Sequence, residues 1–214
     1  MGRLTIEHDA ADDGAKATTR RRSIALRLDG RAWLRVEPEA LHELGVRSGD
    51  EIDESRRVEV ETALARVRAR LFVVRSLSVK AQSTAEIEKK LAARDVPAEI
   101  AQEAIERVAG YGYLDDAALA GQLARGMRNR GYGRRRAEQK LRERGLRGAP
   151  ATAALEEAYG ERDEAALALE ALGRRSVADD ADRRRALAFL ARRGFSAAAA
   201  WAAIRRAGEE GSRE

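Results

Sequence analysis

Between Arg125 and Arg147 the chain carries ten basic residues against two acids, Glu138 and Glu143, a local balance of +8 in a protein whose formal net charge is +5. The rest of the chain is therefore slightly acidic. Nine of the ten are arginines, whose planar guanidinium presents paired donors to phosphate or carboxylate oxygens. Arg134, Arg135 and Arg136 follow a glycine and open a predicted helix, where free backbone amides also favour anions. Tyr132, between Gly131 and Gly133, offers a ring for stacking, and its glycines let a backbone come close. Such residues bind; they do not turn over substrate. Arg125, Arg128, Arg130, Tyr132, Arg134, Arg135, Arg136, Lys140 and Arg144 are the candidate partner contacts, with Glu156 and Glu157 expected outside the patch. The alternative is a solvated helix face.

Signals of catalysis are missing. The chain has no G-x-x-x-x-G-K-[ST] loop, no strand followed by G-x-G-x-x-G and no G-x-S-x-G elbow. Its two histidines, His8 and His42, fall in an expected tail and on a short surface helix, which leaves no histidine triad or two-histidine metal site. The acid pairs Asp115-Asp116 and Asp179-Asp180 stand directly before predicted helices, where capping explains them better than acid/base work. No enzyme activity, cofactor, metal or small-molecule substrate is expected. Absence of cysteine suits a reducing compartment. No apolar run is long enough to span a bilayer, and the acids among the first twenty residues do not resemble a leader, so the expected location is cytoplasmic.

The elements that must position these arginines are read from a repeat. Leu91, Leu141 and Leu190 are offset by 50 and 49 residues, and the same offsets relate Arg94, Arg144 and Arg193, then Val96, Leu146 and Phe195. Ala101-Ala104-Ile105-Val108 becomes Ala151-Ala154-Leu155-Ala158 and then Ala200-Ala203-Ile204-Ala207, an i, i+3, i+4, i+7 stripe in each copy. An amphipathic stretch precedes each matched part, giving three helices per copy and nine in all. Ser83 and Glu86 have capping-box spacing, and Asp95, Gly145 and Gly194 suit the left-handed end of each copy's second helix. With only 4% aromatic residues, such helices pack through alanine, and fifty-residue units that bury only part of their apolar face alone should stack into an elongated, curved array.

Ahead of the repeats, Ile24, Leu26, Leu28, Ala32, Leu34 and Val36 alternate around Asp29-Gly30 as a β-hairpin. A three-residue connection pairing Leu28 with Ala32 would put all six on one face. Pro38 to Leu44 reads as a short helix stopped by Gly45. The predicted class is mainly α, a tandem array of three three-helix repeats behind a small β-hairpin module. Its expected segments are a flexible tail at 1–22, the module at 23–55, repeats at 56–114, 115–160 and 161–207, and a second tail at 208–214.

Gly112-Tyr113-Leu114-Asp115-Asp116, then Asn129-Arg130-Gly131-Tyr132-Gly133 with Lys140-Leu141 and Arg144-Gly145-Leu146, and finally Phe189-Leu190 with Arg192-Arg193-Gly194-Phe195, together resemble the RecX family of recombination regulators. The resemblance covers roughly residues 56 to 207. It implies three tandem three-helix repeats, binding to the RecA recombinase and its filament on single-stranded DNA, and restraint of RecA's ATPase, strand exchange and SOS co-protease activities. It places this chain in DNA repair and homologous recombination and makes the nine candidate contacts a RecA- and DNA-binding set, with single-stranded DNA alone bound weakly. Asp95 departs from the family's usual glycine. Two rival readings are a free-standing DNA-binding protein and an interaction scaffold without a nucleic-acid role.

Overall fold

A computed structural model of the chain describes residues 1–8, 23–160 and 162–211. Among these are four strands and ten helices, which divide into two compact units. Unit 1 is Met1–Ser78 with Glu88–Tyr111, and unit 2 is Val79–Ile87 with Gly112–Glu214.

Unit 1 begins with a strand where a tail was expected. β1, Gly2–His8, pairs antiparallel with β2, Ile24–Leu28, and with the two-residue β4, Glu51–Ile52. With β3, Arg31–Val36, the sheet order is β3-β2-β1-β4. Leu4 is buried and Ile6 half-buried, while Thr5 and Glu7 face water, so β1 carries the period-two pattern of a half-buried strand. Residues 9–22, the remainder of the expected tail, lie outside the described residues.

The β2–β3 turn also differs from expectation. Ile24 pairs with Val36 and Leu26 with Leu34, but Leu28 pairs with Arg31 across a two-residue turn, and Arg27 with Ala32. Asp29 and Gly30 both have positive φ, 50° and 75°. This is the geometry that a right-twisted hairpin favours and that Asp-Gly adopts at low cost. Trp33 is the extra residue of a bulge that restores the register, and Ala32 is left exposed. The Trp33 indole N–H donates to Glu61 Oε1 at 2.7 Å and, more than the neighbouring Arg57, holds that carboxyl below its ordinary value.

α1, Pro38–Leu44, ends at a left-handed Gly45 as expected, and α2, Glu54–Val79, is a 26-residue helix about 39 Å long. Val60, Leu64 and Val67 of α2 join Leu4, Ile24, Leu26, Val36, Leu44 and Ile52 in one core. Fully burying each large aliphatic side chain contributes about 1.5–3 kcal/mol. α3, Thr84–Ala92, runs across the division between units, and α4, Ala98–Gly110, buries Ala101, Ala104, Ile105 and Val108.

Unit 2 holds α5 (Asp116–Asn129), α6 (Arg134–Glu143), α7 (Gly148–Tyr159), α8 (Glu164–Leu172), α9 (Asp180–Arg192) and α10 (Ala197–Gly211). With α2, α3 and α4 these make the nine repeat helices, three per copy. In the second and third copies the first and third helices pack closely, α5 on α7 and α8 on α10; in the second, Ala120, Ala124, Ala154 and Ala158 bring few atoms between the axes. The third copy repeats this with Ala168, Ala200 and Ala203 around Leu172, Leu190, Phe195 and Ile204. Asp115 and Asp179 cap their helices by accepting from the amides of Ala118 and Asp182. α10 continues to Gly211, so residues 208–211 are helical rather than the start of a tail. A single glycine such as Gly208 costs a helix only about 1 kcal/mol relative to alanine.

Candidate functional site

The basic segment is shaped by how the second helices of successive copies meet. α5 ends in a left-handed Gly131, φ 72°, with the amides of Gly131 and Tyr132 bonded back to Arg128 O and Met127 O. That is the paired closure of a glycine-stopped helix, and it directs the chain into α6. Gly133, at the start of α6, donates its N–H to Arg193 O at 2.9 Å. A Cβ on Gly133 would lie 2.5 Å from Gly194 O, and one on Gly194, φ 86°, would lie 2.5 Å from Arg136 N. Here α6 and the end of α9 touch backbone to backbone, and only glycine fits.

Arg193 locks this joint. Its Nη1 donates to Arg130 O at 2.6 Å and Gly131 O at 3.0 Å, and its guanidinium lies 5.0 Å from the Tyr132 ring centre and 4.6 Å from that of Phe189. Arg175 stacks on Phe189 as well, at 3.9 Å. The Tyr132 ring packs on the core of the second copy, and its carbonyl accepts from the Tyr159 hydroxyl at 3.1 Å. Burial pushes that hydroxyl up to about 12, against the charge of Arg128. Tyr132 and its two glycines thus join the second and third repeats within the chain.

Arg144 occupies the equivalent joint one copy earlier. It grips Glu86 through Nε and Nη2 at 2.6 and 2.8 Å and donates to Ala81 O at 2.9 Å, while its own carbonyl accepts from Ser83 Oγ. Burial works to raise the Glu86 carboxyl, but the bonds from Arg144 and the Ser83 amide outweigh it and hold Glu86 below the usual carboxylate value. The expected capping box is present: Ser83 N–H donates to Glu86 and Glu86 N–H to Ser83 Oγ. Asp116 adds a further cap, accepting from Thr84 N–H at 2.9 Å. Gly145, φ 75°, sits so close to Ala85 that any side chain would collide with it.

The remaining candidates are on the surface. Arg125 pairs with Glu157 at 2.8 Å and Arg134 with Glu156 at 3.0 Å, so these two acids, expected outside the patch, are part of it. Lys140 pairs loosely with Glu143 at 3.3 Å, and Arg136 donates to Gln139 at 2.7 Å. Arg128 bonds Asn129 Oδ1 and Ala158 O, and Arg130 reaches Met127 Sδ at 3.4 Å. Arg135 is exposed and has no hydrogen-bond or ion-pair partner among the described residues. Exposed pairs of this kind contribute at most about 1 kcal/mol, so a partner's anions can displace them readily. Arg192, which is not among the nine candidate contacts, stands beside Arg135 and Arg136 on the rim of a groove between α6 and α9–α10. Its one signal was position, since Arg192 occupies the third-copy place that Glu143 occupies in the second.

Among the described residues no group of histidine, cysteine, aspartate and glutamate could hold a metal ion, and no helix is long and apolar enough to cross a membrane.

Comparison with known proteins gives this arrangement a family. A family model described as the first three-helix domain of RecX matches residues 69–107, and one for the second three-helix domain matches 115–155. A protein named regulatory protein RecX from Xanthomonas campestris is 37% identical over 142 residues, covering 65% of this chain and 84% of its own. Another of that name from Deinococcus radiodurans is 37% identical over 141 residues, covering 64% of this chain and 67% of its own. A crystal structure of regulatory protein RecX superposes with TM-score 0.64 at 24% identity, over 93% of this chain and 97% of that one. RecX from Lactobacillus salivarius gives 0.55 at 20% identity, over 66% of this chain and 96% of its own. The two solved structures share the fold, and the sequence relatives carry the family: three-helix repeats joined at their second helices are, here, those of a member of the RecX regulatory proteins.

Proposed function

We propose that this chain binds the RecA recombinase and its filament on single-stranded DNA, in the cytoplasm, and lowers RecA's ATPase, strand-exchange and SOS co-protease activities without catalysis of its own. The observation that supports this reading is the basic surface formed by α5, its C-terminal turn and α6. Arg135 has no internal partner, and Arg125, Arg130, Arg134, Arg136 and Lys140 are held only by weak surface contacts, so a filament's phosphates and acids meet cations already turned outward. Tyr132 and Arg144 act inside the joints and position that face. RecA ATPase on single-stranded DNA, measured with and without the chain, tests the reading: a lowered rate is expected, and an unchanged rate rejects it.

The local balance of +8 also supports a second reading, a DNA-binding protein that acts without RecA. Binding to bare and RecA-coated single strands separates them. The proposed function requires clear preference for the coated strand, and equal affinity favours the second reading.

A further inference from the structure

The groove between α6 and the α9–α10 turn has a volume of about 540 Å³, the size of a site for a few side chains rather than a whole surface. Its floor is apolar, with Leu187, Phe195 and the methyl groups of Ala191, Ala197 and Ala200, and its rim carries Arg135, Arg136 and Arg192. No acid lines it, and neither Arg135 nor Arg192 has an ion-pair partner among the described residues. Three guanidiniums without an acid among them favour an anionic occupant. The floor decides which kind. Phe195 is only 4% exposed, and the nearby Tyr132 ring is already stacked by Arg193, so no aromatic face is free for a nucleobase. An aliphatic or aromatic side chain, by contrast, would exclude water from this floor while flanking carboxylates meet the arginines in pairs.

The geometry points to this groove as the docking site for an acidic peptide segment of the recombinase that carries one bulky apolar side chain. The inference rests on the proposed RecA-filament function and names the part of the partner that this face takes. Phosphate contacts then belong to Arg125, Arg130 and Lys140, outside the groove.

The chain has no cysteine, so Ala191→Cys, at an exposed position on the groove, places a benzophenone cross-linker at one site only. The labelled chain is mixed with RecA filaments on single-stranded DNA, sedimented, irradiated, and the cross-linked segment mapped by mass spectrometry. The expected product joins residue 191 to an aspartate- and glutamate-rich segment of the recombinase. The double variant Arg135→Glu, Arg192→Glu should abolish that product and weaken co-sedimentation about tenfold. Cross-links to DNA, or to a recombinase segment without acids, overturn the inference. Co-sedimentation without any cross-link from residue 191 overturns it while leaving filament binding intact; no co-sedimentation of the unlabelled parent chain removes both readings together.

Discussion

The two joints of unit 2 stand at equivalent places in the repeat and are built from different chemistry. At the first, the start of α3 is satisfied by side-chain oxygens: Ser83 and Glu86 form a capping box, Asp116 accepts from Thr84, and Glu86 neutralises Arg144. At the second, the start of α6 has Gly133 in place of Ser83, no acid in its first turn, and a backbone bond to Arg193 O. The first joint consumes its charge internally. The second gets its closeness from Gly133 and Gly194 and turns Arg134, Arg135 and Arg136 outward. A helix start that lacks acids and carries three arginines is less stable by itself. Under the proposed function, that local cost is offset by contacts of these arginines with the filament.

The comparison is broken most severely at the glycines. Gly194→Ala should cost about 3 kcal/mol or more, because the new Cβ meets Arg136 N in a left-handed backbone. Gly148→Ala has a similar φ, 68°, but open space around it, and should cost only about 1 kcal/mol. Urea unfolding of the two variants reads the difference; equal losses would mean that backbone conformation alone is at stake and the joint is not tight.

At the first joint, a double-mutant cycle with Glu86→Gln and Arg144→Met should show a coupling of about 1–3 kcal/mol at neutral pH, since either single change strands a partly buried charge. Glu86 titrates lower in the folded chain than in the unfolded one. Its contribution is therefore present above the ordinary glutamate value and lost as pH falls through the lowered one, so the coupling should vanish on acidification. A coupling that persists in acid would contradict the assignment.

Arg193→Lys keeps the charge at the second joint but loses the planar stack on Tyr132 and Phe189. A loss of about 1–2 kcal/mol is expected in thermal unfolding, about 2–8 °C in Tm for a chain of this size. A full loss of folding would mean that Arg193 holds more than this joint. The smallest change in stability belongs to Arg135→Glu, within about 0.5 kcal/mol, because the side chain touches nothing internal.

Much of this was legible in the residues and some was not, for physical reasons. Offsets of 50 and 49 gave the nine repeat helices, the alanine stripes gave their buried faces, and Ser83 with Glu86 gave a helix start, because each signal is local and periodic. Asp95, where the second and third copies have Gly145 and Gly194, adopts the same left-handed turn, φ 56°, as an aspartate can. β1 was missed because its alternation is short and its partner β2 lies across a polar segment. Gly131-Tyr132-Gly133 suggests, from sequence, a stacking ring and a close backbone approach offered to a partner. Its actual neighbour, Gly194, is some sixty residues away, and no local pattern distinguishes close approach to another molecule from close approach to the chain itself. For the same reason nothing local in the sequence announces the internal grip of Arg144 on Glu86 and Ala81 O.

Whether the outward arginines of the second joint carry the regulation is tested most directly by RecA ATPase on single-stranded DNA, titrated with the parent chain, with Arg135→Glu, Arg136→Glu, and with Arg107→Glu as an exposed reversal on α4. The account predicts that the double reversal folds like the parent and loses inhibition by an order of magnitude or more, while Arg107→Glu inhibits as the parent does. Undiminished inhibition by a folded Arg135→Glu, Arg136→Glu chain would contradict it.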